Sequence, residues 1–248
     1  SNTPDNEILD RARVTAMVNG SSKKKTYTSY CLIGLLIPLI LIILSELLNT
    51  QIRTPKELLR LSKFPLVGTL CHVKSQNPTL VVSAPRSSFA EMLRSVRTRI
   101  EFIVQRKSSI MITVTSTQSA DGKTFTSTNL AAIYAMTGKK TLLVDLDIRK
   151  PNIHEMLGLE GGLGVTNYLI GDCQLEDIID SNTPYAFDFV IAGTIPPNPG
   201  ELVRSERMSE MLCKLREKYD FIILDTSPVG HVSDAYALIG QSDLTLFV

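Results

Sequence analysis

Short, almost wholly apolar runs, separated by segments of helical character, constrain the fold of this chain more than any other feature. Three of them, IMITVT at 110–115, TLLVDL at 141–146 and FIILD at 221–225, show no regular alternation of polar and apolar residues. Strands of this kind are buried on both faces, as in parallel sheets covered by helices. Two further runs, FDFVIAG at 187–193 and LTLFV at 244–248, continue the series. We therefore predict an α/β fold with a mostly parallel sheet and helices on both faces.

An apolar segment near the N-terminus, CLIGLLIPLILIILSELL at 31–48, predicts a transmembrane helix. It opens with fourteen uncharged, mostly aliphatic residues. A run of about ten to fourteen also fits a buried core helix, whereas about eighteen cross a bilayer. Pro38 favours the membrane, because a soluble helix would kink there and a membrane helix tolerates proline. Both flanks are basic, so the positive-inside rule leaves the orientation open; the flanking residues are Lys23, Lys24, Lys25, Arg53, Lys56 and Arg60.

The remaining segments divide the chain into four predicted parts. Residues 1–30 are polar and are interpreted as an extracytoplasmic stub before the transmembrane helix at 31–48. Residues 49–84 contain TPKELLRLSKFPLVGTL, which predicts a short amphipathic helix within a juxtamembrane linker. Residues 85–248 form the α/β domain. Because the chain starts without Met and ends within an apolar run, we interpret it as a fragment whose α/β domain is truncated at its C-terminus.

Charge and cysteine content exclude several classes of function. The formal net charge is +1, so no global field attracts nucleic acid and we predict no nucleic-acid partner. The four cysteines show no CxxC pairing, which excludes an ordinary zinc site and a disulfide framework and fits a reducing compartment. His72, His154 and His231 show no metal-ligand spacing.

The segment TSTQSADGKTFTSTNLAA at 115–132 predicts a phosphate-binding loop. Gly122, Lys123 and Thr124 follow an apolar strand and open a helix, whose N-terminal amides can bind phosphate. We expect Lys123 to reach the β- and γ-phosphates and the Thr124 hydroxyl to hold Mg²⁺. A GKT tripeptide alone is weak evidence for a phosphate-binding loop. The sequence also departs from the GxxxxGKS/T pattern, because Thr117 stands at the position of its first glycine. The predicted ATP-binding residues are Ser119, Ala120, Asp121, Gly122, Lys123, Thr124 and Phe125.

Carboxylates at the ends of two other predicted strands support this site. Asp145 and Asp147 are two residues apart, so they share a side of an extended strand, and Asp225 ends the run FIILD. Solvated carboxylates at strand ends are the ordinary alternative. Ligands bind at the carboxyl edge of open α/β sheets. We therefore predict a P-loop NTPase-type domain with ATP and Mg²⁺ as cofactors and with Thr124, Asp145 and Asp225 as metal ligands.

Together these motifs resemble those of the bacterial tyrosine kinases, the BY-kinases of the polysaccharide co-polymerase, or exopolysaccharide chain-length determinant, family. DLDIRKP, GKT, YDFIILDTSP and AGTIPPNPGELV at 192–203 carry the resemblance, which covers about 45–248. It implies a protein-tyrosine kinase of the bacterial inner membrane, with its kinase domain in the cytoplasm, where ATP is found. It also implies a homo-oligomer that phosphorylates neighbouring copies and acts with the polymerisation and export machinery of capsular or exopolysaccharide.

The resemblance assigns roles to individual residues. Asp145 and Asp147 correspond to the family's Walker A′ motif and Asp225 to its Walker B motif. EMLRSVR at 91–97 matches an ExxRxxR oligomerisation motif and gives Glu91, Arg94 and Arg97, although an intrahelical Glu–Arg pair is the common alternative. The expected catalytic residues are Lys123, Asp145 and Asp147. Asp147 is the candidate to accept the tyrosine proton and Asp145 supports the metal or the acceptor, and the reverse assignment stays open.

The sequence also departs from the family pattern. Ser119 stands where the family usually has a loop proline, and Ser227 replaces the first proline of DTPP. The family's substrate is a C-terminal tyrosine cluster, whereas the seven tyrosines here are scattered. Two alternatives therefore stay open: a ParA/MinD-type ATPase, although Gln118 stands where its signature lysine would be, and a co-polymerase scaffold with a vestigial nucleotide site.

Overall fold

The structure is a computed structural model that describes residues 23–48, 54–74, 77–104, 107–159, 161–181, 184–230 and 234–248. His231 and most of the predicted stub at 1–30 lie outside the described residues. The chain divides into two compact units. The first ends at Lys63, and the second begins at Phe64.

The first unit contains α1 (Lys23–Leu47) and α2 (Pro55–Leu61). Helix α1 carries Pro38 and has a mean hydropathy of 2.4 over its most apolar window. At 1.5 Å per residue it is about 37 Å long, enough to cross a bilayer. Among the described residues, it is the one helix long and apolar enough to do so, and it fits a membrane anchor.

Helix α2 begins with a capping box. The backbone N–H of Glu57 donates to the Thr54 hydroxyl at 3.3 Å, and the Glu57 carboxylate accepts the Thr54 N–H at 3.2 Å. Pro55 follows the cap, where its missing N–H leaves no helical hydrogen bond unmade. The predicted short helix is therefore confirmed.

The second unit is built on a five-stranded parallel sheet in the order β3-β2-β4-β1-β5. The predicted strands form, with β3 shorter than the run at 187–193. The predicted fold class is confirmed. The strands are β1 (Ile110–Thr115), β2 (Thr141–Leu146), β3 (Asp188–Val190), β4 (Phe221–Thr226) and β5 (Leu244–Phe247). The helices are α3 (Leu80–Ser83), α4 (Ser88–Val104), α5 (Lys123–Ala135), α6 (Ile153–Leu157), α7 (Val165–Ile170), α8 (Leu175–Ile178), α9 (Pro199–Val203), α10 (Glu206–Lys218) and α11 (Asp234–Ile239).

Two apolar clusters cover the two faces of this sheet. Successive side chains of a strand point to opposite faces, so Ile223 enters one cluster and Ile222 and Leu224 enter the other. Helices α4 and α5 cover the first face, and α7 and α10 cover the second. Because both faces are covered, the central strands need no polar side and read as the continuous apolar runs of the sequence.

Part of the predicted linker belongs to the second unit. Val67, Leu70 and Val73 pack against the cluster under α4. Gly68 lies so close to α4 that a Cβ would stand 2.5 Å from Cγ2 of Val96. The described residues between 64 and 84 therefore contribute to the α/β core, and the four-part division of the chain stays a prediction.

Candidate nucleotide site

Two residues of the loop between β1 and α5 have a left-handed backbone conformation. Gly122 has φ +93°, a left-handed conformation that is strained for residues with a Cβ, and Ala120 adopts φ +70° despite its Cβ. Within the loop the Gln118 N–H donates to the Asp121 carboxylate at 2.8 Å, and the Ser116 hydroxyl donates to the Gln118 carbonyl at 2.6 Å. The loop is thus braced by its own side chains.

Helix α5 begins at Lys123, and its N-terminus faces the carboxyl edge of the sheet. The first N–H groups of a helix have no intrahelical acceptor and are suited to bind phosphate. The rings of Phe125 and Phe89 on α4 are 5.3 Å apart, so the Phe125 side chain belongs to the core. The Phe125 side chain is only half-buried, and a part for Phe125 in nucleotide binding stays a prediction. Ser119 and Ala120 are exposed in the loop.

Lys123 and Asp147 form a buried ion pair. Nζ of Lys123 lies 2.8 Å from Oδ2 of Asp147, and both side chains are less than a tenth exposed. The other oxygen, Oδ1, accepts the Ser227 hydroxyl at 2.7 Å and the Lys150 N–H at 3.3 Å. The structure thus brings together two predicted catalytic residues and fixes both oxygens of the carboxylate.

Asp225 lies against the start of α5. Its Oδ2 accepts the Thr124 hydroxyl at 2.7 Å, and its Oδ1 lies 3.0 Å from the Ser127 hydroxyl, which is also 2.9 Å from the Lys123 carbonyl. Two of the three predicted metal ligands, Thr124 and Asp225, therefore touch each other.

Asp145 is the third carboxylate and is fully buried. It stands opposite Asp225 in the register of β2 and β4. Its oxygens accept backbone N–H groups, from Asp147 at 3.1 Å and from Ile153 at 3.3 Å. In this arrangement the Asp145 side chain fixes the turn that carries Asp147.

The buried site holds three carboxylates and one ammonium group, so it carries more negative than positive charge. The four residues are Lys123, Asp145, Asp147 and Asp225. Burial raises the pKa of Asp225 to about 6, although Lys123 and the hydroxyls of Thr124 and Ser127 act to lower it. Burial and the Asp225 carboxylate raise the pKa of Asp145 well above its usual range. Burial acts to lower the pKa of Lys123, but the carboxylates, Asp225 foremost, outweigh it and raise that pKa. Such a site attracts a cation.

Two site residues were missed in the sequence. Ser127 follows Thr124 by three positions on α5, so the two share a helix face. Ser227 follows Asp225 by two positions at the end of β4, the same spacing that linked Asp145 to Asp147. Both positions were therefore predictable from periodicity, but an uncharged serine does not by itself indicate a site residue, and Ser227 was noted only as a departure from the DTPP pattern.

The predicted oligomerisation residues make contacts within one chain. Arg94 pairs with Glu91 and donates to the Pro85 carbonyl at 2.7 Å, and Arg97 lies 3.5 Å from Glu101. The side chain of Glu91 is 67% exposed and that of Arg94 is 32% exposed. These contacts are compatible with a partner at the same face, and a role in assembly stays a prediction.

The chain is similar to a known protein family and to several tyrosine-protein kinases. The model of a family described as an AAA domain matches residues 109–247. The chain is 34% identical over 175 residues to the tyrosine-protein kinase YwqD of Bacillus subtilis, covering 71% of this chain and 74% of that protein. It is 31% identical over 250 residues to the tyrosine-protein kinase Wzc of Salmonella typhi, covering 94% of this chain. The chain spans about a third of the length of Wzc, 35%.

Solved structures similar to this chain include a tyrosine kinase domain and a MinD protein. The kinase domain of the Escherichia coli tyrosine kinase ETK superposes with a TM-score of 0.73 at 29% identity, covering 79% of this chain and 80% of that one. The septum site-determining protein MinD of Pyrococcus horikoshii, solved with Mg-ADP, gives a TM-score of 0.50 at 25% identity over 56% of this chain and 57% of that one. The site is that of a nucleotide-binding P-loop domain, and the chain belongs to the AAA-domain family and to the bacterial tyrosine-protein kinases (BY-kinases) that include YwqD and Wzc.

Proposed function

We propose that this chain is an ATP-dependent protein-tyrosine kinase that phosphorylates neighbouring copies of itself and regulates capsular or exopolysaccharide polymerisation and export. The observation that carries the proposal is the buried Lys123–Asp147 pair at the head of the phosphate loop. It sets a phosphate-binding cation beside a carboxylate that can accept a proton, and kinase chemistry needs both within reach of one phosphoryl group.

The proposed transfer uses groups of this chain for positioning and charge. Loop and helix amides and Lys123 bind the phosphates of ATP. The tyrosine oxygen forms a bond to the γ-phosphorus while the bond from that phosphorus to the bridging oxygen breaks, and ADP leaves with the electron pair. The tyrosine proton passes to Oδ2 of Asp147. Asp145 holds the turn on which Asp147 stands.

The residues present fit Mg²⁺. Thr124 and Asp225 supply hard oxygen donors in contact with each other, and the surrounding site carries excess negative charge. Mg²⁺ is usually bound through one or two carboxylates together with substrate phosphates and water, so a larger protein cage is not needed. When bound, the metal neutralises charge on the phosphates. Asp145 remains a proposed ligand, through rearrangement of its backbone contacts.

The proposed setting follows from the first unit and the family. Helix α1 anchors the chain in the bacterial inner membrane, with the kinase domain at 85–248 in the cytoplasm. Residues 1–30 remain the proposed extracytoplasmic stub, whose last part from Lys23 continues into α1, and 49–84 the proposed linker, whose part from Phe64 belongs to the second unit. Glu91, Arg94 and Arg97 contact a neighbouring subunit, which places an acceptor tyrosine of one copy at the site of the next.

A ParA/MinD-type ATPase is the second candidate, and the MinD structure favours it only at the level of the shared nucleotide fold. The two candidates differ in the acceptor: water in one, tyrosine in the other. The residues around Lys123 fit either acceptor. A scaffold with a vestigial site is disfavoured because all the charged site residues are present, with Lys123 paired to Asp147 and Thr124 in contact with Asp225.

The test separates these three functions. The full chain in non-ionic detergent is incubated with Mg²⁺, ATP labelled at the γ-phosphate and a glutamate–tyrosine copolymer, and labelled tyrosine and free phosphate are both measured. We expect labelled tyrosine, its loss in Asp147→Asn with nucleotide binding retained, and no change in the exposed control Lys139→Met. Free phosphate without labelled tyrosine would establish the ATPase, and neither product would establish the scaffold.

A further inference from the structure

We propose that Ser227 is a positioning residue for Asp147: its hydroxyl holds one carboxylate oxygen so that the other faces the acceptor. The bond from Oγ of Ser227 to Oδ1 of Asp147 is 2.7 Å long and buried. Because Asp147 is the proton acceptor only in the proposed function, the role of Ser227 rests on that proposal.

The two carboxylate oxygens of Asp147 have different partners, and in the proposed function nucleotide binding removes the partner of only one of them. Oδ2 is held by Lys123, which is the group that the phosphates attract. Once Lys123 turns to the phosphates, Oδ2 loses its partner and is the oxygen available to a hydroxyl. Oδ1 is held by the Ser227 hydroxyl at 2.7 Å and by the Lys150 N–H at 3.3 Å. Without the Ser227 hydroxyl, Oδ1 would keep only the longer bond from the Lys150 N–H, which is shared with the Asp147 carbonyl, and the carboxylate could rotate more easily when its ion pair opens.

Ser227 is itself held in place by the sheet. Its carbonyl accepts the Thr115 hydroxyl at 3.1 Å, and two residues later the Val229 N–H donates to the Ser116 carbonyl at 2.9 Å. The side chain is reached by almost no solvent, since Ser227 is 4% exposed. A hydroxyl donating to a carboxylate in such a site makes a strong, charge-assisted bond with little competition from water.

The donor is a feature of this sequence. A proline at 227, as in the DTPP pattern, has no hydroxyl and could not hold Asp147 in this way. The neighbouring Thr226 offers a matched contrast within the same chain. It is equally buried, but its hydroxyl donates to the Val114 carbonyl at 3.0 Å.

The experiment compares Ser227→Ala, Ser227→Cys, Ser227→Thr and Thr226→Val in the full chain in non-ionic detergent. It measures kcat and KM for ATP with the glutamate–tyrosine copolymer and Kd for a fluorescent ATP analogue. For Ser227→Ala we expect kcat to fall about ten- to hundredfold, the range for a lost hydrogen bond to a charged group. KM and Kd for ATP should stay within about twofold. Ser227→Thr, which keeps the hydroxyl, should restore most of kcat, and Ser227→Cys, a weak donor, should lie between.

Three results would overturn the proposal. The first is an unchanged kcat in Ser227→Ala or, if circular dichroism shows that this variant does not fold, in Ser227→Cys. The second is a loss of ATP affinity in the Ser227 variant as large as its loss of kcat. The third is a fall of kcat in Thr226→Val as large as the fall in Ser227→Ala. A wild-type chain that labels no tyrosine would instead overturn the proposed kinase. The same comparison is then made on ATP hydrolysis, where water loses its proton to Asp147, and the same three results decide it.

Discussion

Replacing Asp225 by asparagine should make the metal-free protein more stable, although it removes a proposed magnesium ligand. Asp225 is buried and its pKa is about 6 in the folded protein, against an ordinary value of 3.8. Between these two pH values the folded state holds a proton that the unfolded state has lost. Stability therefore falls as the pH rises through this window and stays low above it. The asparagine variant carries no such proton and avoids the fall.

The size of the effect follows from the shift. One pKa unit corresponds to about 1.4 kcal/mol, so a shift of about two units gives about 3 kcal/mol at pH 8. Asparagine keeps the side-chain volume and one acceptor for Thr124 or Ser127, which leaves a net gain of about 2 kcal/mol. Removal of the Asp225 charge also lowers the cost of ionising Asp145, and this acts in the same direction.

Urea unfolding measures this gain. The full chain in non-ionic detergent and a chelator is followed by circular dichroism at pH 4.5 and pH 8, with Asp172→Asn at an exposed site as the control. We expect Asp225→Asn to exceed the wild type at pH 8 and to match it at pH 4.5, and the control to differ by less than about 0.5 kcal/mol at both. Adding Mg²⁺ and ATP should stabilise the wild type more than the variant. A variant less stable than the wild type at pH 8, or a difference independent of pH, would refute the electrostatic account of this site.

Three further outcomes are expected. Lys123→Met should cost about 3–5 kcal/mol by leaving Asp147 buried and unpaired, and Asp147→Asn in the same chain should recover part of it in a urea-unfolding double-mutant cycle. Asn129→Leu should cost about 1–3 kcal/mol, because Asn129 on α5 bonds Val81 N–H at 3.0 Å and the Pro78 carbonyl at 2.8 Å, and hydrogen exchange of residues 77–84 should accelerate. Replacing both Arg94 and Arg97 by Ala should reduce the mass of the detergent-solubilised oligomer by light scattering, and an unchanged mass would leave these residues as intrahelical partners.

The sheet was predictable from the sequence because burial on both faces leaves continuous apolar runs. The strand at 221–225 could be predicted from its own residues, because all four residues of this run before Asp225 are apolar, and the structure buries them. The predicted strand at 187–193 was longer than β3, which pairs with β2 only at Asp188–Val190. The chain turns soon afterwards at Gly193, where φ is +82°. The extent of an edge strand depends on its partner, and a single sequence does not contain that information.

The site was predictable as a set of charged residues, but its internal contacts were not. Lys123 and Asp147 are separated by 24 positions, and their pairing depends on where β1, β2 and α5 place them. Local spacing gives no measure of that. The packing of Val67 and its neighbours against the core under α4 was missed for a related reason: the described residues of this segment form neither helix nor strand, so no periodicity marks a buried face.

The contacts of Lys123 also bear on how the site can be switched. Lys123 is held by a buried carboxylate, so in the proposed transfer ATP binding draws the lysine from Asp147 towards the phosphates. In that proposal, the Asp147 oxygen that loses Lys123 is the one that accepts the tyrosine proton. Binding of the donor would then expose the proposed proton acceptor, which the empty site keeps paired with Lys123. A base that is paired until ATP arrives has little opportunity to deprotonate an acceptor unproductively, which is a physical reason for the phosphate lysine and the acceptor carboxylate to be each other's partner.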